Sequence, residues 1–183
     1  YVRLRSSVGR STVLQWARRL PRGASVLDLG CGHGQPISEV LLEQGFVVSG
    51  VDASETLVSE FQKRFPGVEV ECNSVESSTF FGRRYDAVVS WGLMFLLPAE
   101  SQRQLIGKVA RALHDGGELL FTAPQVAATW NDSLTHLPSN SLGRAAYLRV
   151  LEANGLRPTG SAEDDGENHY YFASKTTATR EES

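Results

Sequence analysis

The chain has 183 residues, 41% hydrophobic and 21% charged, with a net charge of -3. That is one globular unit with room for a real core; a disordered chain is poorer in apolar residues, and a duplex-binding protein carries a basic stripe. No apolar run approaches the roughly 20 residues that span a bilayer, and Cys31 and Cys72 match no disulfide or metal spacing, so a reducing, cytoplasmic setting without membrane or metal is expected.

The first stretch starts at Tyr1 rather than at a methionine, so upstream sequence is expected; no signal-peptide pattern is visible. Arg3, Arg5, Arg10, Arg18, Arg19 and Arg22 occur here with no acid among them. Val13, Trp16, Ala17 and Leu20 recur at helical spacing and predict a helix over 7–20, ended by Pro21, Arg22 and Gly23. Its arginines read as a solvated face, or as a source of one cation for a carboxylate beside the helix.

An alternation follows. Strands are predicted at 25–30, 46–52, 68–72, 85–90 and 118–123. Between them lie helical patterns at 36–44, from Ser54 to Phe65, and from Ala99 to His114. Gly45, Gly50 and Gly67 read as turn glycines. Strands separated by helices imply βαβ crossovers and a parallel sheet, and near-continuous apolar runs such as VLDL and DAVV suit strands covered on both faces.

The last third differs. Residues 124–142 lack clear periodicity and predict a long functional loop. A helix over 143–154 precedes two strands, 156–162 and 168–174, joined by the acidic turn Glu163-Asp164-Asp165-Gly166-Glu167, an antiparallel hairpin. The expectation is an α/β, Rossmann-like doubly wound, mostly parallel seven-stranded sheet with a C-terminal hairpin. It forms a single domain over 1–175, with a flexible tail at 176–183.

The most informative segment is VLDLGCGHGQPI (26–37). A strand ending in Asp28 runs through Gly30, Gly32 and Gly34 into a helix. Glycines let the backbone turn tightly and approach a ligand, and the amides of the next helix favour an anionic group. Asp52, at the end of the next strand, suits a ribose diol. A dinucleotide site wants GxGxxG, but the third glycine comes one residue early and Gln35 takes the place of glycine; the P-loop pattern is absent.

This segment resembles motif I of the class I S-adenosylmethionine-dependent methyltransferases, D/E-x-G-x-G-x-G. The resemblance continues through VSGVDAS (48–54), CNSVES (72–77), YDAVVSWGLMFLLP (85–98) and LHDGGELLFT (113–122). It implies S-adenosylmethionine as cofactor and S-adenosylhomocysteine as product. It also implies that Gly30, Gly32 and Gly34 pass under the methionine part, that Asp28 orients its ammonium directly or through water, and that Asp52, followed by Ala53, holds the ribose. Ser74 and Val75 would meet the adenine, with Asn73 sharing the role because serine replaces the acid many relatives carry. Ser90 and Trp91 would line the cofactor near the sulfonium.

Methyl transfer needs a base only when the acceptor is protonated. Of His33, His114, His136 and His169, the last is the candidate catalytic residue, as base or acceptor ligand, at the start of the last strand in GENHYYFASK. The spacing puts His169 and Tyr171 on one face, Tyr170 and Phe172 on the other. The fourth-strand end reads SWGL, not the [DNS]PP[YFW] of enzymes that methylate base amino groups, and it offers neither a nucleophilic cysteine nor metal-binding acids. A small, partly aromatic or apolar acceptor is expected, with no nucleic acid, in a monomer or homodimer. The alternatives are a macromolecular (RNA or protein) methyltransferase, a non-catalytic cofactor-binding protein, or a nicotinamide oxidoreductase.

Overall fold

The computed structural model describes residues 7–133 and 136–177. Arg3, Arg5 and the last six residues of the expected tail lie outside the described residues.

The first elements are α1 (Arg10–Ala17), β1 (Ser25–Leu29), α2 (Ile37–Glu43), β2 (Val47–Asp52), α3 (Glu55–Arg64) and β3 (Glu69–Cys72). They are followed by β4 (Tyr85–Ser90), α4 (Ala99–Ala112), β5 (Leu113–Thr122), β6 (Ala128–Asn131), β7 (Pro138–Ser141), α5 (Arg144–Ala153), β8 (Leu156–Glu163) and β9 (His169–Lys175). Seven strands form one sheet in the order β3-β2-β1-β4-β5-β9-β8. The first five are parallel; β9 runs antiparallel to both β5 and β8. Among the described residues no helix is long and apolar enough to cross a membrane.

Alternate residues of the central strands feed two cores. Leu27, Leu29, Val88, Leu119, Phe121 and Tyr171 pack with Leu105, Ile106 and Val109 of α4 and Tyr147 and Leu151 of α5. Val26, Val48, Ala87, Val89, Leu120 and Tyr170 pack with Val13, Trp16 and Ala17 of α1 and Val40 and Leu41 of α2. Period-two side chains apolar on both faces are what a sheet covered on both sides requires.

Three elements depart from the sequence reading. The first helix begins only at Arg10, because Gly9 at φ 89° cannot continue it. Gly9 also packs so closely that a Cβ would lie 2.7 Å from the Trp91 indole nitrogen. β5 starts earlier than predicted and takes in Asp115-Gly116-Gly117; a register shift between Tyr85 and Ala87 absorbs the irregularity. Residues 124–142 hold a small antiparallel sheet of β6 and β7, whose buried positions, Ser139 and Ser141, are polar and so leave no hydrophobic alternation to read. That hairpin is docked on α4: the buried Gln102 amide donates to the carbonyls of Leu97 and Asn140 at 2.9 and 2.8 Å, and Tyr147 Oη donates to Gln102 Oε1 at 2.6 Å.

Candidate active site

In an open α/β sheet, ligands bind outside the carboxyl ends of the strands where the strand order reverses. Here that point lies between β1 and β4, which neighbour each other while β2 and β3 run off on one side. The loop after β1 carries the three glycines. The amides of Gly30 and Cys31 donate to Val51 O at 2.8 and 3.2 Å, and Gly32 N donates to Asp52 Oδ2 at 2.9 Å.

The glycines differ in purpose. A Cβ on Gly34 (φ 90°) would lie 2.4 Å from the Phe65 ring, so this glycine serves packing against α3. A Cβ on Gly32 (φ 55°) would meet only Leu57, at 3.9 Å, so the space above Gly32 is open. Gly50 is not a turn glycine as expected. It lies inside β2, where a Cβ would sit 2.7 Å from Cys31 Sγ. Cys31 is correspondingly a packed residue, and burial pushes its thiol pKa up.

Asp52 ends β2 half-buried, Oδ2 holding Gly32 N and Oδ1 accepting from Ser54 N at 2.9 Å. Each carboxylate oxygen keeps a further lone pair for a ligand. Ala53 beside it is exposed. Asp28 is placed differently: it is 1% exposed, sealed beneath α2, and accepts from Ser38 Oγ at 2.6 Å. Burial, opposed by that hydrogen bond and reinforced by nearby Asp52, pushes its pKa up to about 7. A carboxyl whose pKa is higher folded than unfolded holds its proton better in the folded state, so stability falls as pH rises from about 4 toward 7. Asp28→Asn is therefore expected to gain stability relative to the parent between pH 5 and pH 8 in urea titrations. An equal difference at both values would rule out this titration.

Ser74 caps the turn after β3, its Oγ accepting from Ser77 N at 3.1 Å while its own amide donates to Asn73 Oδ1 at 2.9 Å. The Val75 side chain is buried in the α4-side core, and its carbonyl accepts from Lys108 Nζ at 2.8 Å. Lys108 also donates to the carbonyls of Glu76 and Ser78 and lies 4.3 Å from the Phe80 ring centroid, clamping the whole turn. Ser90 is fully buried at the end of β4, and its hydroxyl has no hydrogen-bond partner among the described residues. Trp91 donates from its indole nitrogen to Tyr170 Oη at 2.8 Å, and Tyr170 Oη donates to Asp164 Oδ2 at 2.6 Å.

Because β9 is antiparallel, its first residue lies beside the carboxyl end of β5. Thr122 pairs with Tyr170, and Ala123 N donates to His169 O at 3.1 Å. His169 thus reaches the same rim as Ser90 and Asp52 despite its distance in sequence. It lines a cavity of about 250 Å³ with Phe95, Thr122, Pro124, Trp130 and Glu167. His169 is 8% exposed, its ring stands edge-on to Tyr171 at 4.8 Å, and neither ring nitrogen has a hydrogen-bond partner among the described residues. Burial pushes its pKa down; Glu163, paired with it across the hairpin, pulls the other way, and Arg144 adds to the depression. The other histidines play no such part. His33 Nδ1 accepts from Gln35 N at 3.2 Å, while His114 and His136 are exposed on β5 and the 124–142 segment.

The basic face of α1 divides. Arg10 pairs with Glu43 and Glu39 of α2. Arg18 and Arg19 line a separate cavity between α1 and the β8–β9 edge, away from the glycine loop.

A family model described as a methyltransferase domain matches residues 26–117, half of the chain and the whole of the glycine-loop side. The chain belongs to the methyltransferase-domain family. The motif resemblance is thereby borne out. Among curated relatives, the ubiquinone biosynthesis O-methyltransferase of Coxiella burnetii is 30% identical over 105 residues, covering 55% of this chain and 44% of that protein. The trans-aconitate 2-methyltransferase of Variovorax paradoxus is 29% identical over 147 residues, covering 79% of this chain and 51% of that protein. The chain thus spans about half the length of the curated relatives it matches. Its Rossmann-like methyltransferase fold is shared with the 1,6-didemethyltoxoflavin-N1-methyltransferase of Burkholderia thailandensis, solved with S-adenosylhomocysteine. That structure has a TM-score of 0.74 and 19% identity, covering 92% of this chain and 77% of that one.

Sequence reasoning missed Ser38, Lys108, Phe95 and Trp130. Ser38 and Lys108 sit in helices, where their patterns read as ordinary polar positions. Trp130 was inside the segment read as a loop, and only the hairpin brings it to 6.0 Å from Phe95.

Proposed function

We propose that this domain transfers a methyl group from S-adenosylmethionine to a small-molecule acceptor, with residues 1–175 acting as one unit. The single observation that carries the reading is the open space above Gly32, ringed by the Asp52 carboxylate at the switch point of the sheet. The residues fit the cofactor. Asp52 offers lone pairs to a ribose diol, the backbone above Gly32 has no side chain in the way, and the unpartnered Ser90 hydroxyl is a buried polar atom at the same rim. The Coxiella and Burkholderia relatives support the assignment, the second through its bound S-adenosylhomocysteine.

When bound, the cofactor supplies an electrophilic methyl group on a good leaving group, so the protein's work is alignment and exclusion of water. Gly30 and Gly32 shape the floor, Gly34 keeps the loop packed against α3, Asp52 fixes the ribose, and the turn held by Lys108 presents Ser74 to the adenine side. Asp28 acts from beneath, on the loop or through water. Trp91, held by Tyr170, lines the cofactor side near the sulfonium. His169 takes the acceptor's proton or fixes its position. A net charge of -3 favours a small acceptor over RNA.

Calorimetry with S-adenosylmethionine, S-adenosylhomocysteine and NAD tests this reading. The first two are expected to bind and NAD not. Asp52→Ala is expected to weaken binding by about 1.5–3 kcal/mol, the worth of hydrogen bonds to a charged acceptor. It also frees Gly32 N, which adds to the loss. Unchanged affinity in a folded variant would remove Asp52 from the site.

A further inference from the structure

The cavity beside His169 has a chemistry of its own. Phe95 and Trp130 form a tilted aromatic pair, ring centroids 6.0 Å apart with 31° between planes, and both line it, with Pro124 and Ala123 completing apolar walls. Its volume of about 250 Å³ lies just under the roughly 300–1,000 Å³ of pockets for drug-sized ligands. One or two fused rings fill such a space. The charged groups also select. Among the described residues, Glu167 and His169 are the only titratable ones lining it, and no lysine or arginine does. An anionic occupant would therefore face a carboxylate in the wall, with no lysine or arginine beside it there. Finally, His169 is more than nine-tenths buried with both ring nitrogens unpartnered, an arrangement that costs free energy until a ligand supplies a partner.

We propose that the acceptor is an uncharged, planar aromatic alcohol of one or two rings, held against Phe95 and Trp130 with its hydroxyl hydrogen-bonded to His169. This rests on the methyltransferase reading and adds the substrate class. In the transfer, the hydroxyl oxygen forms the new bond to the methyl carbon while the carbon–sulfur bond breaks and its electron pair stays on sulfur. The hydroxyl proton passes to a ring nitrogen of His169 and then to water. Burial first, then Glu163 across the hairpin and Arg144 at the start of α5, act on the histidine's charge; Glu167 stands in the same cavity wall.

The test uses binding as well as turnover. Calorimetry is run on the intact protein with three probes that share one naphthalene ring system: 1-naphthol, 1-methoxynaphthalene and 1-naphthoate. 1-Naphthol is expected to bind at least about tenfold more tightly than either other probe, because only it is uncharged and carries the donor. In His169→Ala the preference for naphthol over its methyl ether is expected to vanish. Trp130→Ala is expected to lose about tenfold in naphthol affinity, and Trp130→Phe to restore most of it, since the ring supplies the contact. Far-ultraviolet circular dichroism confirms that each variant folds. The proposal is overturned if naphthoate binds as well as naphthol, or if the folded Trp130→Ala protein binds naphthol unchanged. S-Adenosylmethionine calorimetry on the same samples separates the two failures. Loss of cofactor heat sinks the methyltransferase reading, whereas intact cofactor binding with no naphthol preference sinks only the acceptor class.

Discussion

Gly32→Val is expected to abolish S-adenosylmethionine binding in a protein that still folds. The separation is possible because a Cβ at this position meets no protein atom closer than Leu57 Cδ1 at 3.9 Å. The cost to the fold is mainly conformational. A β-branched residue at φ 55° is strained by about 1–2 kcal/mol, a loss that a domain with about 5–15 kcal/mol of stability survives. The branched side chain then occupies the space assigned to the cofactor, and no rotamer of valine removes both methyls from it. Calorimetry is expected to give no binding heat, while the melting temperature falls by only about 2–8 °C. Gly34→Ala is the counterpart. Its Cβ would meet the Phe65 ring at 2.4 Å, so it is expected to damage the fold first. Normal cofactor affinity in a folded Gly32→Val protein would show that the glycine loop is not the site.

His169→Ala is expected to leave cofactor affinity nearly intact and to lower turnover by on the order of 100-fold or more, the usual worth of a general base. Burial holds the imidazole below its ordinary pKa, so it is neutral and able to accept a proton at neutral pH. The sign of the pH dependence follows. In the parent, kcat/KM falls as pH drops through the histidine's depressed pKa, because the imidazolium cannot accept a proton. In the variant that acid limb is expected to disappear. A variant in which only KM rises, with kcat and the pH profile unchanged, would assign His169 to positioning alone.

Much of this was legible from residue pattern. β1, β2 and β4 read correctly because they are apolar on both faces, and α3 because Ser54 caps it, its Oγ accepting from Leu57 N at 3.3 Å. The glycine loop and Asp52 were visible because their chemistry is local, packed into about 25 residues of sequence. What pattern could not give was packing. Nothing in the sequence separates the open Gly32 from Gly34 wedged against Phe65, or marks Gly50 as making room for Cys31. The β6–β7 hairpin is hidden because the face that β7 buries consists of serines, Ser139 and Ser141, which carry no hydrophobic signal. His169 was placed at the right end of its strand by the antiparallel turn, but its bare ring nitrogens depend on what surrounds them in space.

The position of β9 has a consequence for how the molecule comes into being. A growing chain that has reached the end of α5 already contains the glycine loop, Asp52 and Ser90, in strands joined by near-neighbour crossovers. It lacks the strand that fits between β5 and β8. Until β9 arrives, β5 is an open sheet edge with a row of unpaired amides and carbonyls. The same insertion that closes this edge delivers His169 to the rim and locks Trp91 through Tyr170. The half proposed to bind the cofactor can therefore assemble early, while the rim that carries His169 exists only once the sheet is complete. A partly made chain is in this way built without the rim on which the proposed acceptor site depends.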